Sequence, residues 1–498
     1  MGLSMRRDRA LINLTVDEAR LERTAKRCRD RNIIIPTFSQ LKKPSAAPNE
    51  IKEQLKQIGL WDIAPQNLFR ITWKNEPVPK GGLFRATPNY IELPPELTGV
   101  ETRIIALVGK WFPTGSHKVG ATFGCLVPPL VTGQFDPTVH KAVWPSTGNF
   151  CRGGAYDATL LGCESIAILP EQMSQERFQW LKTVAGQIIA TPGSESNVKE
   201  IYDKVWDLKR TRKDIFVFNQ FSEFGNYLFH YDVTGHAIEE VIKKEAKGGH
   251  FRGVCFTTGS AGTIASGDYL KQVFPTSKIA AGEALQCPTL LLNGYGVHRI
   301  EGIGDKHVPW IHNVRNTDLV IGIDDNDTMN LLRLFNEPAG RDYLVNEVGV
   351  SGELVSQLDL LGISSIANVL MAIKFAKYYE LTHNDIVLTV FTDSAELYQS
   401  RLQETRKQQG EYRMQHAIRD FAQHLMAMKT DSMMELNHSD RKRIHNLKYF
   451  TWIEQQKFPL DELNRQWYDY ERYWGEIQGL TPKIDELITQ FNDGVGLL

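Results

Sequence analysis

The 498-residue chain lacks several features that would assign it to a class of protein at once. No uninterrupted apolar run approaches the roughly 20 residues that a membrane-spanning helix needs, and the mean hydropathy is −0.31. Neither sign of charge dominates, because 57 Lys and Arg stand against 59 Asp and Glu. A balanced charge disfavours a dedicated nucleic-acid-binding protein or an acidic disordered chain. The composition therefore predicts a large globular protein with neither nucleic acid nor membrane as a partner.

Cysteine is also scarce, and its spacing carries no metal or disulfide pattern. The six cysteines include no CxxC pair and no zinc-finger or haem-attachment spacing. Because most of them lie in apolar stretches, we expect buried free thiols and a reducing, cytoplasmic compartment. The first ten residues have no apolar core after their charges, which disfavours a secretory signal. His438 and His445, seven residues apart, are not taken as ligands, and no metal site is predicted.

Short β-branched runs alternate with helical stretches from about Arg103 to Tyr398. This alternation is typical of βαβ units and of a mostly parallel sheet. This region of some 300 residues is larger than a single hydrophobic core usually supports, so we expect two α/β lobes. The predicted strands are Arg103–Val108, Lys141–Trp144, Ser165–Leu169, Gln187–Thr191, Ile215–Asn219, Gly253–Thr257, Leu319–Ile323 and Ile386–Phe391.

The flanking segments have a different texture. Residues 36–48 are predicted to form a linker or extended arm, and residues 81–99 an irregular lead-in. After Arg401 the pattern predicts helix and loop only. This tail is rich in aromatic side chains, which are expected to dock on the rest of the protein.

Four short motifs follow predicted strands or open helices, where the ligand crevice of an open α/β sheet lies. In chain order, they are Gly115–Gly120 around Lys118, Ser146–Phe150, Thr258–Thr263 and Thr392–Tyr398. A lysine buried near a helix start is costly as a free ammonium and less costly as an imine. Hydroxyls and open backbone N–H groups at a helix start can bind a carboxylate, or they can simply cap the helix.

The third motif, Thr258-Gly259-Ser260-Ala261-Gly262-Thr263, has small residues that let backbone amides close on a phosphate. It is neither a GxGxxG sequence nor a Walker loop, which disfavours NAD and ATP. In the fourth motif, Ser394 could bond a ligand ring or cap the last helix. A lysine, a carboxylate cradle, a phosphate loop and a hydroxyl, in this order, together indicate pyridoxal 5′-phosphate (PLP).

These motifs resemble those of the fold-type-II PLP-dependent enzymes, the tryptophan synthase β-like superfamily. Within it, the chain is most similar to the cysteine synthases and cystathionine β-synthases. The resemblance runs from about Gly115 to Tyr398 and includes Ser146–Gly193, Asn219–Ser222, Glu301–Gly304 and Gly362–Ser365. It implies two three-layer α/β lobes with mostly parallel twisted sheets.

The resemblance also implies boundaries for these parts. Residues 100–121 and 236–400 would form the large PLP-binding lobe, and residues 122–235 the smaller, mobile lobe. Residues 1–99 would be an N-terminal extension and residues 401–498 a helical C-terminal appendage. A homodimer is implied as well.

The resemblance assigns a role to each matching residue. Lys118 should carry PLP as an internal aldimine and act as the base for the α-proton. Asn149 should bond the 3′-oxygen of the cofactor, and Ser394 its pyridine nitrogen. The phosphate should lie on Gly259, Ser260, Ala261, Gly262 and Thr263. The substrate contacts should come from Ser146, Thr147, Gly148, Phe150, Gln220 and Gly304.

A serine at the pyridine nitrogen leaves the ring neutral, which suits loss of a β-leaving group. We therefore expect a lyase or synthase that acts on a small amino acid by β-elimination or β-replacement through an α-aminoacrylate, with a small nucleophile as second substrate. Phe150 replaces the small Thr that is usual in cysteine synthases and reshapes the carboxylate pocket. The alternatives are a threonine synthase- or dehydratase-like enzyme, an amino-acid thiolase β-subunit, and a non-catalytic protein that kept the fold.

Overall fold

The computed structural model describes residues 12–146, 148–193, 197–304 and 306–497. Eleven strands are present in these residues. They are Tyr90–Leu93 (β1), Arg103–Val108 (β2), Lys141–Pro145 (β3), Glu164–Pro170 (β4), Gln187–Thr191 (β5), Ile215–Val217 (β6), His250–Thr257 (β7), Lys278–Ala284 (β8), Leu319–Ile323 (β9), Asp385–Phe391 (β10) and Met433–Glu435 (β11).

The strands form two sheets, and the larger one includes β1 and β11, which lie outside the residues predicted for the large lobe. The larger sheet has the order β1-β2-β10-β7-β8-β9-β11, and the smaller has the order β5-β4-β3-β6. All neighbours are parallel except the two edge pairs of the larger sheet, β1 with β2 and β11 with β9. Because the inner strands run parallel, their carboxyl ends meet at one edge of each sheet.

Helices flank both sheets. Those that precede the third strand are Glu18–Asp30 (α1), Phe38–Lys42 (α2), Asn49–Leu55 (α3), Pro95–Thr98 (α4) and Lys118–Val131 (α5). Those in the α/β region that follows are Asn149–Leu160 (α6), Gln175–Val184 (α7), Val198–Thr211 (α8), Phe224–Leu228 (α9), Gly235–Glu245 (α10), Ile264–Val273 (α11), Thr289–Leu292 (α12), Asp325–Asn336 (α13), Pro338–Asn346 (α14), Gly352–Ser356 (α15), Ile363–Tyr378 (α16) and Gln399–Gln409 (α17).

The C-terminal part adds five helices: Met414–Phe421 (α18), His438–Lys448 (α19), Leu460–Tyr468 (α20), Tyr470–Gln478 (α21) and Thr481–Val495 (α22). Its aromatic side chains dock as the sequence predicts, since Trp452, Trp467, Tyr473 and Trp474 are buried. Tyr468, Phe450 and Tyr449 are exceptions, with 73%, 57% and 37% of their surface exposed.

All eight predicted strands are present, and the α/β class is confirmed. Three strands were missed. β8 has the sequence KIAAGEA, with one β-branched residue, and it forms a strand because both neighbours bury it. β1 lies in the stretch predicted to be irregular, and β11 lies in the tail predicted to contain helix and loop only. Both of these predictions were wrong, because edge strands this short carry little periodicity.

The prediction of a linker over residues 36–48 was also wrong. Residues 38–42 form α2, whose Phe38 and Leu41 are buried. The helix starts at a capping box, in which Thr37 Oγ1 accepts from the Gln40 backbone N–H at 3.1 Å and the Gln40 side chain accepts from the Thr37 N–H at 3.0 Å. The prolines at positions 36 and 44 hid this short helix.

The N-terminal and C-terminal segments are joined directly. The Ile35 backbone N–H donates to Asn492 Oδ1 at 3.1 Å, and Asn492 Nδ2 donates back to the Ile35 carbonyl at 2.8 Å. Nearby, Arg29 Nε donates to the Val495 carbonyl at 2.7 Å. We call this set of contacts the terminal clasp.

All six cysteines are free and buried, as predicted. Among the described helices, none is singly long and apolar enough to cross a membrane. One pair bent by 119°, residues 352–360 with 363–378, meets that test by length and composition.

Candidate functional site

A small cavity lies where the carboxyl ends of β3, β7 and β10 converge. Nine residues that line it were predicted from the sequence: Lys118, Ser146, Gly148, Asn149, Phe150, Gln220, Gly259, Ser260 and Gly304. Four more line it that were not: Phe221, Gly302, Ile303 and Thr392. The predicted motifs, more than 270 residues apart at the extremes, therefore meet at one site.

Lys118 is the first residue of α5, and its position is set by the end of β10. The His117 backbone N–H donates to the Thr392 carbonyl at 3.2 Å, which holds the helix start against that strand. From there, the Lys118 side chain reaches across the cavity, and its Nζ donates to Ser260 Oγ at 3.3 Å. The predicted lysine therefore faces the predicted phosphate loop.

His117 lies behind Lys118 and is fully buried. Its ring packs at 5.0 Å from that of His230, and its Nε2 lies 3.3 Å from Thr392 Oγ1. Burial, and then the neighbouring Lys118 charge, hold the pKa of His117 well below its ordinary value. We infer that this histidine is a neutral hydrogen-bonding group at physiological pH.

The phosphate loop lies between β7 and α11. Ser260 Oγ accepts from Asn226 Nδ2 at 3.0 Å as well as from Lys118. Ala261 takes a left-handed backbone with φ of 62°, a conformation that normally favours glycine. The small residues and the start of α11 leave backbone amides and the positive end of the helix dipole available to an anion.

The loop between β3 and α6 supplies the predicted carboxylate cradle. Ser146 Oγ accepts from the Gly148 N–H at 3.3 Å and from Gln220 Nε2 at 3.1 Å. With both lone pairs of its oxygen engaged, the Ser146 hydroxyl keeps its hydrogen for a third partner. Thr147, which was predicted to contact the substrate, lies outside the described residues.

Two glycines of the site leave no room for a side chain. A Cβ atom on Gly148 would overlap the guanidinium of Arg177, and one on Gly304 would overlap the imidazole of His298. Gly304 also has a φ of +79°. The backbone at both positions is therefore packed against a buried side chain on one face and can face the cavity with the other.

A hydrophobic wall closes the cavity near α6. Phe150 is 1% exposed and packs against Trp144, with ring centroids 5.6 Å apart. Trp144 in turn stacks on Phe218 at 4.6 Å. These rings exclude water from that side of the site, which strengthens electrostatic interactions within it.

Asn149, the first residue of α6, is anchored by a buried carboxylate. Its Nδ2 donates to Asp393 Oδ2 at 2.6 Å, and the Tyr398 hydroxyl donates to the same oxygen at 2.7 Å. Burial raises the pKa of Asp393, although the hydrogen bonds and nearby guanidinium groups act against this rise. This contact could not be predicted from the sequence, in which Asp393 is expected only to cap a helix.

Two fully buried arginines lie next to this carboxylate. Arg177 Nη2 donates to the Tyr398 hydroxyl at 3.1 Å, and its Nη1 forms an ion pair with Glu301 at 3.0 Å. Arg152 packs over the Trp180 ring at 4.7 Å. Burial, and then the neighbouring Arg177, lower the pKa of Arg152 to about 10. Glu301 also pairs with Arg401, so one network links both lobes and α17.

Four of the predicted residues do not line the cavity. Ala261, Gly262 and Thr263 continue the phosphate loop behind Ser260. Ser394 is 1% exposed and opens the turn 395–398, while Thr392 is the residue of this strand end that faces the cavity.

Sequence reasoning missed another hydroxyl, that of Ser364 at the start of α16. Its Oγ is buried and has no hydrogen-bond partner among the described residues. A Cβ atom on the cavity-lining Gly302 would lie 3.8 Å from this oxygen. The motif Gly362–Ser365, which is part of the resemblance, could have pointed to Ser364, but the sequence alone assigns this serine no role.

The residues present fit PLP. A lysine amine faces a loop at a helix start, which suits an aldehyde and a phosphate on one molecule. Around it, Asn149 Oδ1, Thr258 Oγ1 and Ser364 Oγ are buried without partners among the described residues. Unpaired buried polar atoms are costly unless a bound group satisfies them.

The parallel lobes with a lysine, a phosphate loop and an asparagine between them define the class of cofactor-dependent α/β enzymes. Residues 110–341 match the sequence model of the family "Pyridoxal-phosphate dependent enzyme". Over this region, which contains Lys118, Asn149 and the phosphate loop, the chain is similar to that family.

Individual relatives agree with this assignment. The chain is 29% identical to a cysteine synthase of Staphylococcus aureus over 58% of its own length and 84% of that protein. It is 24% identical to the cystathionine beta-synthase of Saccharomyces cerevisiae, over 61% and 58% of the two lengths. A solved cysteine synthase of Entamoeba histolytica shares the fold, with a TM-score of 0.55 at 23% identity, over 68% of this chain and 93% of that one.

Proposed function

We propose that this protein is a PLP-dependent lyase or synthase that acts at the β-carbon of a small amino acid carrying a leaving group. The observation that carries the proposal is the Lys118 amine, which crosses the cavity to the Ser260 loop at 3.3 Å. The cysteine synthase and cystathionine beta-synthase relatives, named for β-substituted amino-acid chemistry, support it.

In this proposal, Lys118 attaches the cofactor and residues 259–263 hold its phosphate. Asn149 would bond the 3′-oxygen of the cofactor. For the pyridine nitrogen, Ser394 remains the sequence-based prediction, and we add Ser364 because its buried hydroxyl lacks a partner among the described residues. When bound, PLP supplies an aldehyde for amino groups and a ring that withdraws electrons from the α-carbon.

The substrate carboxylate would lie on the Ser146–Phe150 loop. The Ser146 hydroxyl, oriented by Gln220, can donate to a carboxylate, and so can backbone amides at the start of α6. We assign Thr147, Gly148, Phe150 and Gly304 to the same substrate pocket. The ring of Phe150 leaves little room there, which favours a small amino acid.

When it is not attached to the cofactor, the Lys118 Nζ would be free to act as a base. It lies at the helix start between the cofactor loop and the carboxylate loop, where the α-carbon would be. The neutral Nζ amine would accept the α-proton, and the resulting ammonium would donate it to a departing or incoming group.

The remaining architecture is proposed on the same basis. Residues 100–121 and 236–400 would act as the cofactor lobe, and residues 122–235 as a lobe that moves against it. A homodimer in the cytoplasm remains our expectation. The flanking residues 1–99 and 401–498 would support this pair of lobes.

The cofactor assignment is tested with Lys118→Ala. After PLP is added and excess is removed, the wild-type protein should keep a visible absorbance band that survives dialysis, and the variant should lose it. Lys374→Ala is the control, because Lys374 is a buried lysine that does not line the cavity and donates to the Gly322 carbonyl at 3.1 Å. A band that persists in Lys118→Ala contradicts the assignment.

The reaction is tested by supplying amino acids to the holoenzyme. O-acetylserine or cysteine should release pyruvate, or yield a substituted alanine when sulfide or homocysteine is present. Threonine that gives 2-oxobutyrate, with no turnover of β-substituted alanines, would instead favour the dehydratase-like alternative.

A further inference from the structure

The contact between Asn149 and Asp393 determines which way the Asn149 amide is turned. A carboxylate only accepts hydrogen bonds, so the group that faces Asp393 Oδ2 at 2.6 Å must be the amide NH2. One of the two Nδ2 hydrogens is used there. The second is then available to a group bound in the cavity, which Asn149 lines.

Without the carboxylate, nothing else described would fix this choice. Asn149 Oδ1 is buried and has no partner among the described residues. An amide flipped by 180° would present a carbonyl where the N–H now lies. A carbonyl repels an anionic oxygen, whereas an N–H stabilises it.

Asp393 is itself held by a chain of buried groups. Tyr398 donates to it, and Arg177 donates to Tyr398 and pairs with Glu301, the residue that precedes the cavity-lining Gly302. The last member of this series is Arg401 of α17, whose Nε donates to Glu301 Oε1 at 2.6 Å. The same network therefore contacts both the cofactor side and the substrate side of the cavity.

We propose that Asp393 is a positioning residue, which turns the Asn149 amide so that an N–H faces the 3′-oxygen of bound PLP. This inference rests on the proposed function. The Tyr398–Arg177–Glu301 chain couples that orientation to the residue 301–304 segment on the opposite wall.

The charge of Asp393 and its role in orientation have opposite effects on the cofactor. An oriented N–H favours the deprotonated 3′-oxygen and lowers its pKa, whereas a nearby negative charge disfavours it. The other charged or titratable groups near Asp393 are Arg152, Arg177 and Tyr398, and those near the cavity are Lys118 and His117. The sign of the shift in Asp393→Asn therefore separates the two effects.

The test is a pH titration of the visible absorbance of the holoenzyme, which reports protonation of the 3′-oxygen. Asp393→Asn should raise the apparent pKa by about one unit, the size of one lost hydrogen bond to a charged group. Asn149→Ala should raise it similarly, and the double variant should add little to either. A fall, or no shift, in Asp393→Asn overturns the proposal.

Asp268→Asn is the matched control. Asp268 is also buried and accepts from a tyrosine hydroxyl, that of Tyr227 at 2.7 Å, and from an asparagine amide, that of Asn313 at 3.1 Å. It lies at the contact with the C-terminal helices, so its titration curve should match that of the wild type.

A second variant covers the case in which Asp393→Asn fails to fold or to hold cofactor. Tyr398→Phe keeps the ring and removes one donor to Asp393, and it should raise the apparent pKa by a smaller amount. An unchanged curve in Tyr398→Phe would then overturn the proposal. If the wild type holds no PLP, the proposed function fails with it; a normal wild-type band with an unshifted variant rejects the positioning role alone.

Discussion

Two polar centres of this protein contain the same residue types but have different roles, one in ligand binding and the other in stability. The first centre comprises Lys118 and Asn149, which line the cavity, and Asp393 and Tyr398, which lie behind Asn149. The second centre, which we call the appendage seam, lies between the large lobe and the C-terminal helices and comprises Lys448, Asp268, Asn313, Gln466 and Tyr227. Both contain a lysine and a buried aspartate that accepts from a tyrosine and an asparagine.

The difference lies in how completely the aspartate and lysine are satisfied. At the seam, Lys448 Nζ donates to the Trp310 and His312 carbonyls and to Gln466 Oε1, all at 2.7–2.8 Å. Asp268 accepts at both oxygens, whereas Asp393 Oδ1 has no partner among the described residues. The fully paired aspartate and lysine of the seam contribute to stability, whereas the unpaired carboxylate oxygen near the cavity belongs to a region that a ligand can complete.

The largest expected effect comes from breaking the seam with Lys448→Ala. Three buried acceptors would lose their donor, and we expect the free energy of unfolding to fall by about 3 kcal/mol. The urea midpoint measures this change, with exposed Lys429→Ala as the control. Below the transition, the cofactor band should be intact, the opposite of the result expected for Lys118→Ala. An unchanged midpoint would contradict the structural role of the seam.

An intermediate effect concerns pH and Asp268. Burial raises the pKa of Asp268 from 3.8 to about 6. Between these values, the folded protein holds a proton that the unfolded chain has released, so this carboxyl contributes stability at pH 4 that is lost as the pH rises to 6.

The wild type should therefore lose more stability than Asp268→Asn over this interval, by about 3 kcal/mol at most. Both proteins contain the same buried histidines, whose lowered pKa values make stability rise with pH. Subtracting one stability curve from the other therefore removes the contribution of these histidines. Parallel stability curves from pH 4 to 6 would reject the raised pKa. Denaturant midpoints at several pH values provide the comparison.

The smallest expected effect concerns the backbone of the phosphate loop. Ala261→Gly should relieve the left-handed backbone of the phosphate loop and raise stability by about 1 kcal/mol or less. Lys457→Gly is the control, since Lys457 has a φ of 63° in the C-terminal region. Both should raise the melting temperature, and only Ala261→Gly should alter the affinity for PLP. Loss of stability in both variants would contradict the strain argument.

The inner strands and the motifs at their ends could be predicted from sequence because each is a local pattern. Runs such as Leu319–Ile323 are bounded by turn residues, and the order of Lys118, Ser146, Ser260 and Ser394 carried the resemblance. The cavity lining confirmed that the first three meet. Edge strands and the helix at residues 38–42 escaped because they are too short for a period to show.

The buried network behind the cavity could not be predicted for another reason. Arg152, Arg177 and Asp393 lie on three different elements, and charged side chains in a sequence are expected on the surface. Only the tertiary contact between α6, α7 and the end of β10 shows that they are buried together. The hydroxyl of Ser364 escaped for the same reason, since nothing local distinguishes it from Ser365.

The terminal clasp has a consequence for biosynthesis. Residues 29–35 form hydrogen bonds with residues 492–495, which leave the ribosome more than 450 residues later. Residues 29–35 therefore lack these C-terminal partners while the residues of both lobes are synthesised. The N-terminal segment can therefore be covered at this contact only after residues 492–495 have been made.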